Sequence, residues 1–187
     1  RDAFKSDIMP GAEYLKLGTA IIGVWIAGTI VVLIKTIRQL IIENRACRQY
    51  TVIENEQVER VCAKMDLKKA EIDVSPDIDV PMVTGVFKAH IYLPEKLLSD
   101  SQLELIVLHE YQHYKSHDTL IKLFYLALTA LFWWNPIVHK FQDKLDNLLE
   151  LRCDANVTKK MDTEGKKRYL SSILAVIKQY HSVANEN

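Results

Sequence analysis

The chain has 187 residues, which fits one domain, alone or with an appendage, and is long enough to bury a sizeable core. Its 24 basic and 24 acidic residues cancel, which argues against a nucleic-acid binder, since such a protein carries a basic excess or a basic face. Three widely spaced cysteines, Cys47, Cys62 and Cys153, form neither a CxxC pair nor a disulfide framework and suit a reducing compartment.

The chain starts at Arg1 rather than Met, so a fragment or a processed product is expected. Residues 1–14 read as an extracytoplasmic flank. Residues 17–34, LGTAIIGVWIAGTIVVLI, carry no charge and are bracketed by Lys16 and Lys35. That length fits the lower range for a membrane-spanning helix, here placed at residues 15–36. The run lies too deep in the chain, and lacks the small-residue cleavage site, for a signal peptide. The flank after it holds Lys35, Arg38, Arg45 and Arg48 against Glu43. By the positive-inside tendency, residues 37–180 are expected in the cytoplasm.

The helical pattern continues into TIRQLIIENRACRQY, and residues 55–66 read as a further helix with Val58, Val61, Cys62 and Met65 on one face. Residues 70–97 are β-branched and punctuated by Pro76, Pro81, Gly85 and Pro94. Short strands are expected near 72–74, 82–87 and 90–93, with a turn at 88–89, in a small sheet with an exposed edge. Helix resumes at Ser99 or Ser101, with Glu104 three residues past Ser101 as in a capping box. The last residues, 181–187, read as a frayed tail.

The resumed helix carries IVLHEYQHYKSHD at 106–118. Positions i and i+4 share one helix face, so His109 and His113 point the same way, as two ligands of one tetrahedral metal must. Glu110 lies about 100° round the axis, where it can take a proton from a metal-bound water. This is the HExxH arrangement of zinc metallopeptidases. Leu103, Leu105, Ile106, Val107 and Leu108 precede it and imply a packed helix. Downstream, in DNLLELRCDANV, Glu150 and Asp154 are again i and i+4. Glu150 is a candidate third ligand, and Asp154 a candidate acceptor for the ring N–H of a ligand histidine. The plain alternative is a pair of solvated helix acids, weakened by the apolar Leu148, Leu149, Leu151 and Cys153 around them. His117 cannot reach the same metal two turns along a straight helix, so it is read as surface or as support for a ligand. His90, His139 and His181 are read as surface.

HEYQHYKSHD followed by ELRCD, with a strand region ending IYLP ahead of the motif helix, resembles the membrane-embedded M56 family of zinc metallopeptidases. This is the family of the bacterial β-lactam sensor-transducers that control β-lactamase or methicillin-resistance genes. The similarity runs from Leu17 to about residue 175. It implies an α+β fold: a mostly helical gluzincin-like domain with a small sheet, preceded by one transmembrane helix. It implies zinc on His109, His113 and Glu150, Glu110 as general base and Asp154 behind the ligands. It also implies a multi-pass membrane protein with the zinc site facing the cytoplasm. The expected substrate is a protein or peptide, either the receptor itself or a transcriptional repressor, cleaved in response to β-lactams or cell-wall stress. The lipid bilayer and a homodimer complete the expected partners, with no direct nucleic-acid contact. The SxxK motif of the sensor domain is absent, as is the Arg-Ser dipeptide at which some of these sensors cut themselves.

A second apolar stretch, residues 120–138, lies between the histidines and Glu150 and contains only Lys122 as a charge. A single crossing there would put the ligands on opposite sides of the bilayer. The stretch is therefore expected to be a core helix, a re-entrant segment or an interfacial helix, and a helix packed in the domain that dips into the membrane surface is favoured. A peptide substrate would add along an edge strand near 82–93. Arg168, Tyr169 and His181 are open candidates for an electrophile assisting the metal. The rival function is a catalytically silent signalling module with a structural metal, which would normally close its fourth position with Cys or His. A membrane-anchored interaction protein without metal leaves both motifs unexplained.

Overall fold

A computed structural model describes residues 10–95 and 99–184. Helix α1, Pro10–Cys47, is a single 38-residue helix. Its segment Tyr14–Cys47 is long and apolar enough to cross a membrane, and its most apolar stretch is almost entirely unburied, Thr29 excepted. It runs well beyond residue 36, the end expected for a spanning segment. Of the terminal segments, residues 1–9 and 185–187 lie outside the described residues.

Helix α2, Glu56–Cys62, begins where the Asn55 side chain accepts the backbone N–H groups of Gln57 and Val58 at 3.0 and 3.2 Å. It ends four residues short of the expected 66. Lys64 and Met65 bond back only three residues, to Val61 and Cys62, and this tightened turn closes the helix. Strands β1 (Ala70–Ser75), β2 (Met82–Thr84) and β3 (Ala89–Pro94) form one sheet in the order β1-β3-β2. β1 runs parallel to β3 and β2 antiparallel to it, with Ile72 opposite Ile91 and Val83 also opposite Ile91. The central β3 is almost wholly buried, and β2 is an edge.

β2 stops at Thr84 rather than 87, because Gly85 takes φ +96° and starts the turn into β3. A Cβ there would lie 2.1 Å from the Lys88 carbonyl oxygen. Gly85→Ala is expected to cost about 1–3 kcal/mol, read as a lower denaturant midpoint at unchanged slope.

Helix α3, Asp100–Lys115, opens on a capping box formed by Ser99 and Gln102, not by Ser101 and Glu104. The Gln102 side chain accepts the Ser99 backbone N–H at 3.1 Å. α3 is the central helix. One side packs on the sheet and α2 through Leu103, Ile106 and Val107 against Val58, Val61, Val74, Ile91 and Leu93. The other side meets a second cluster, in which Leu105 and Leu108 lie against Cys153, Val157 and Tyr169. Burial on both sides explains the unbroken apolar run ahead of His109.

After α3 the chain turns through His117, which takes the left-handed φ of 58°. Helix α4 (Asp118–Leu131) leads out, a turn at 132–135 reverses it, and helix α5 (Pro136–Thr158) returns. Asn135 caps α5 by accepting the Ile137 N–H, and Pro136 occupies its first turn. The 120–138 stretch is thus a helical hairpin whose return brings Glu150 back beside His109. Helix α6, Thr163–Ala184, closes the second cluster with Tyr169.

Candidate metal centre

α3 and α5 cross so that three atoms converge. His109 Nε2 and His113 Nε2 are 3.1 Å apart, and Glu150 Oε2 lies 3.6 and 3.5 Å from them. Bonds of about 2.0–2.1 Å to a tetrahedral metal require ligand atoms about 3.3–3.4 Å apart. The three separations therefore outline one face of such a tetrahedron, and the nitrogen and oxygen donors suit zinc.

The opposite ring nitrogens are both engaged. His113 Nδ1 is 2.7 Å from Asp118 Oδ2, a carboxylate only 3% exposed that also pairs with Arg152 of α5. His109 Nδ1 is 2.6 Å from the Tyr169 hydroxyl, which donates to Asp154 Oδ1 at 2.5 Å. Because the Tyr169 O–H is directed at Asp154, the hydroxyl oxygen is left to accept from the His109 Nδ1–H. Once Nε2 loses its proton, both rings are thereby held in the tautomer that turns the Nε2 lone pair inward.

The electrostatics follow from this packing. Hydrogen bonds to His109 and His113 hold the Glu150 carboxyl well below the usual carboxylate range. Burial alone would lower both histidines, but contacts with Cys153 and Glu150, and for His113 with Asp118, outweigh it and push them to about 10 and about 11. Burial raises the Glu110 carboxyl, partly offset by the two histidines. Burial, then the bond to Asp154, raises the Tyr169 hydroxyl.

Cys153 stands close to the same point. Its thiol is fully buried, 3.6 Å from His109 Nδ1 and 3.4 Å from the His109 carbonyl oxygen. His109, His113 and Cys153 form a group whose ligating atoms could share a metal. On His109 the nitrogen nearest the thiol is Nδ1, which the Tyr169 hydroxyl also holds. The Nε2 pair, 3.1 Å apart, faces Glu150.

A cavity of about 940 Å³ opens onto this point. His109, Glu110, His113 and Glu150 line it, as do residues 80–86 around β2, Leu40 and Glu43 of α1, and Val176 of α6. Of the open electrophile candidates, Arg168 is exposed, and Tyr169 sits behind His109 rather than in front of it. The His181 side chain lies outside the described residues. His117 is exposed, His90 meets Glu71 at 3.1 Å, and His139 meets the Trp133 carbonyl at 2.9 Å.

Asp118 and the bridging place of Tyr169 were not foreseen from spacing. Asp118 stands in the quoted motif, but only the left-handed turn at His117 swings it back onto His113. Asp118→Ala and Tyr169→Phe are each expected to lower metal affinity by about 10–100-fold, measured by competition with a chelating dye.

Comparison with known proteins places these residues in a family context. The family profile described as BlaR1 peptidase M56 matches residues 9–186. The methicillin resistance mecR1 protein of Staphylococcus aureus is 33% identical over 168 residues, which make up 84% of this chain and 28% of that relative. The protein of the same name from Staphylococcus epidermidis has the same identity and coverage. Regulatory protein BlaR1 of Bacillus licheniformis is 27% identical over 165 residues, again 84% of this chain and 28% of the relative. The chain spans less than a third of the length of these relatives.

Proposed function

Because the chain belongs to the M56 peptidase family, we propose that its α3–α5 centre binds one zinc ion and hydrolyses peptide bonds as a gluzincin-type metalloendopeptidase. The observation that carries this reading is the convergence of His109 Nε2, His113 Nε2 and Glu150 Oε2 at tetrahedral separations beside Glu110. Zinc held there supplies a water of lowered pKa and a Lewis acid for the scissile carbonyl.

The chain's own residues do the rest. His109, His113 and Glu150 would hold the ion at the edge of the cavity. Asp118, and Asp154 through Tyr169, fix the two rings. Glu110 lines the cavity, where burial raises its carboxyl, and it is the base that accepts the proton of the attacking water and returns it to the leaving amine. The edge strand β2 borders the cavity and offers its backbone to an extended peptide.

α1 crosses the membrane in this reading, with the peptidase domain on the cytoplasmic face of a multi-pass protein. Two relatives carry methicillin resistance in their names and a third is called a regulatory protein. Cleavage here accordingly serves a regulatory pathway that answers β-lactams or cell-wall stress. Its target is the protein itself or a transcriptional repressor.

The buried Cys153 favours a second reading, a structural metal closed by its thiol, in a module that does not cut. The two separate on activity. Zinc-loaded protein in detergent is expected to cut a peptide library, lose that activity to a chelator and regain it with zinc. Stoichiometric zinc with no cleavage of any peptide would favour the silent module.

Zinc uptake must displace protons from the histidines. Raised to about 10 and 11 from an ordinary 6.5, they stabilise the metal-free fold below about pH 6.5, and that contribution fades as the pH climbs through those higher values. Zinc affinity is therefore expected to rise with pH. Near neutrality each ion should release on the order of one to two protons, read by calorimetry in buffers of different ionisation enthalpy.

A further inference from the structure

The metal centre uses the base of the α4–α5 hairpin and none of its tip. At the tip, Trp134 is 60% and Ile137 72% exposed, with Leu131, Phe132 and Phe141 also exposed. Exposed apolar residues are ordinary singly and informative as a contiguous group. This group lies against α1. Trp25 Nε1 donates to the Leu131 carbonyl at 2.9 Å, and Trp133 Nε1 donates to the Trp25 carbonyl at 3.4 Å. The Trp133 indole fills the notch at Gly28, where a Cβ would lie 2.3 Å from the ring.

Trp25 and Gly28 are the ninth and twelfth residues of the 18-residue uncharged run at 17–34. The tip is therefore level with the middle of the helix that is apolar enough to cross a membrane. Charge returns at matching depth on both helices, at Lys35 on α1 and at Lys122 on α4. Counted from Trp25 and Leu131, each lies about 14–15 Å along its helix, close to half of a hydrocarbon core of about 30 Å. Lys140 on α5 comes sooner, within reach of the interface by its flexible stem.

Part of the tip's backbone is satisfied from within, as hydrocarbon favours. Phe132 N–H bonds to the Leu128 carbonyl and Asn135 N–H to that of Phe132. Side chains cap three further carbonyls: Trp25 that of Leu131, His139 that of Trp133, and Tyr125 that of Val138.

We propose that the α4–α5 tip is a re-entrant hairpin, seated among the acyl chains of the bilayer against α1 and entering and leaving on one face. It goes deeper than a surface-lying helix and does not depend on catalysis. The metal centre at its base then works at the membrane face, since Asp118 lies about 6 Å along α4 from Lys122.

The test places the chain in phosphatidylcholine vesicles whose lipids carry bromine near the headgroup or near the chain end. The Trp134 emission is taken as the difference between wild type and Trp134→Phe, with folding checked by circular dichroism. Bromine near the chain end is expected to remove most of that emission, and aqueous iodide little. In Gly28→Val, which displaces the Trp133 indole, the stronger quencher should become bromine near the headgroup. Quenching by iodide alone would put the tip in water and overturn the proposal. So would protection from both quenchers, which would mean that protein, such as a second copy of the chain, covers the tip. An unchanged depth in a folded Gly28→Val would overturn its seating against α1.

Discussion

Glu110→Gln is expected to keep full zinc content and to slow peptide hydrolysis by about 10²–10⁴-fold. Glu110 follows His109 on α3 and lines the cavity beside both histidines. Burial is the main influence on its carboxyl and raises it, while His109 and His113 pull it back. Glutamine preserves the shape and removes the proton acceptor. No ligand atom is touched, so metal content should not change. The measurement is kcat on a cleaved peptide alongside zinc per chain. Loss of zinc in this variant would move Glu110 from proton transfer to metal binding. Undiminished kcat would remove it from the mechanism.

Glu150→Ala is expected to weaken zinc binding by on the order of 10²–10³-fold, since one of the three proposed ligands is lost from a site in which the ligands together would provide most of the affinity. Cys153→Ser should keep zinc within a few-fold, because the thiol touches His109 from the side that Tyr169 already occupies. The pair separates the two ligand sets available to His109 and His113. The reverse pattern, with zinc kept in Glu150→Ala and lost in Cys153→Ser, would assign the metal to the histidine–cysteine group.

The parts legible in the sequence are those set by local periodicity. The i, i+4 spacing put His109 with His113 and Glu150 with Asp154 on shared helix faces, and the uncharged run announced α1. The requirement that His109 and Glu150 meet excluded a single crossing by residues 120–138, and the chain does reverse at 132–135. What stayed hidden depends on tertiary packing. Tyr169 reaches His109 only because α6 lays it on the second core cluster, 60 residues from its partner. Asp118 reaches His113 through the left-handed turn at His117, a conformation that a non-glycine residue does not announce. Cys153 looked like an apolar residue of α5, and its approach to His109 depends on how α5 crosses α3. Local choices between near-equal options also went astray. Ser99 with Gln102 won over Ser101 with Glu104, and Gly85 ended β2 early.

X-ray absorption at the zinc edge of the zinc-loaded chain tests the centre most directly. The expected first shell is nitrogen and oxygen only, at about 2.0–2.1 Å, with two imidazoles, one carboxylate and an exchangeable oxygen. A sulfur at about 2.3 Å would place Cys153 on the metal, close the open position and contradict a peptidase centre built on His109, His113 and Glu150.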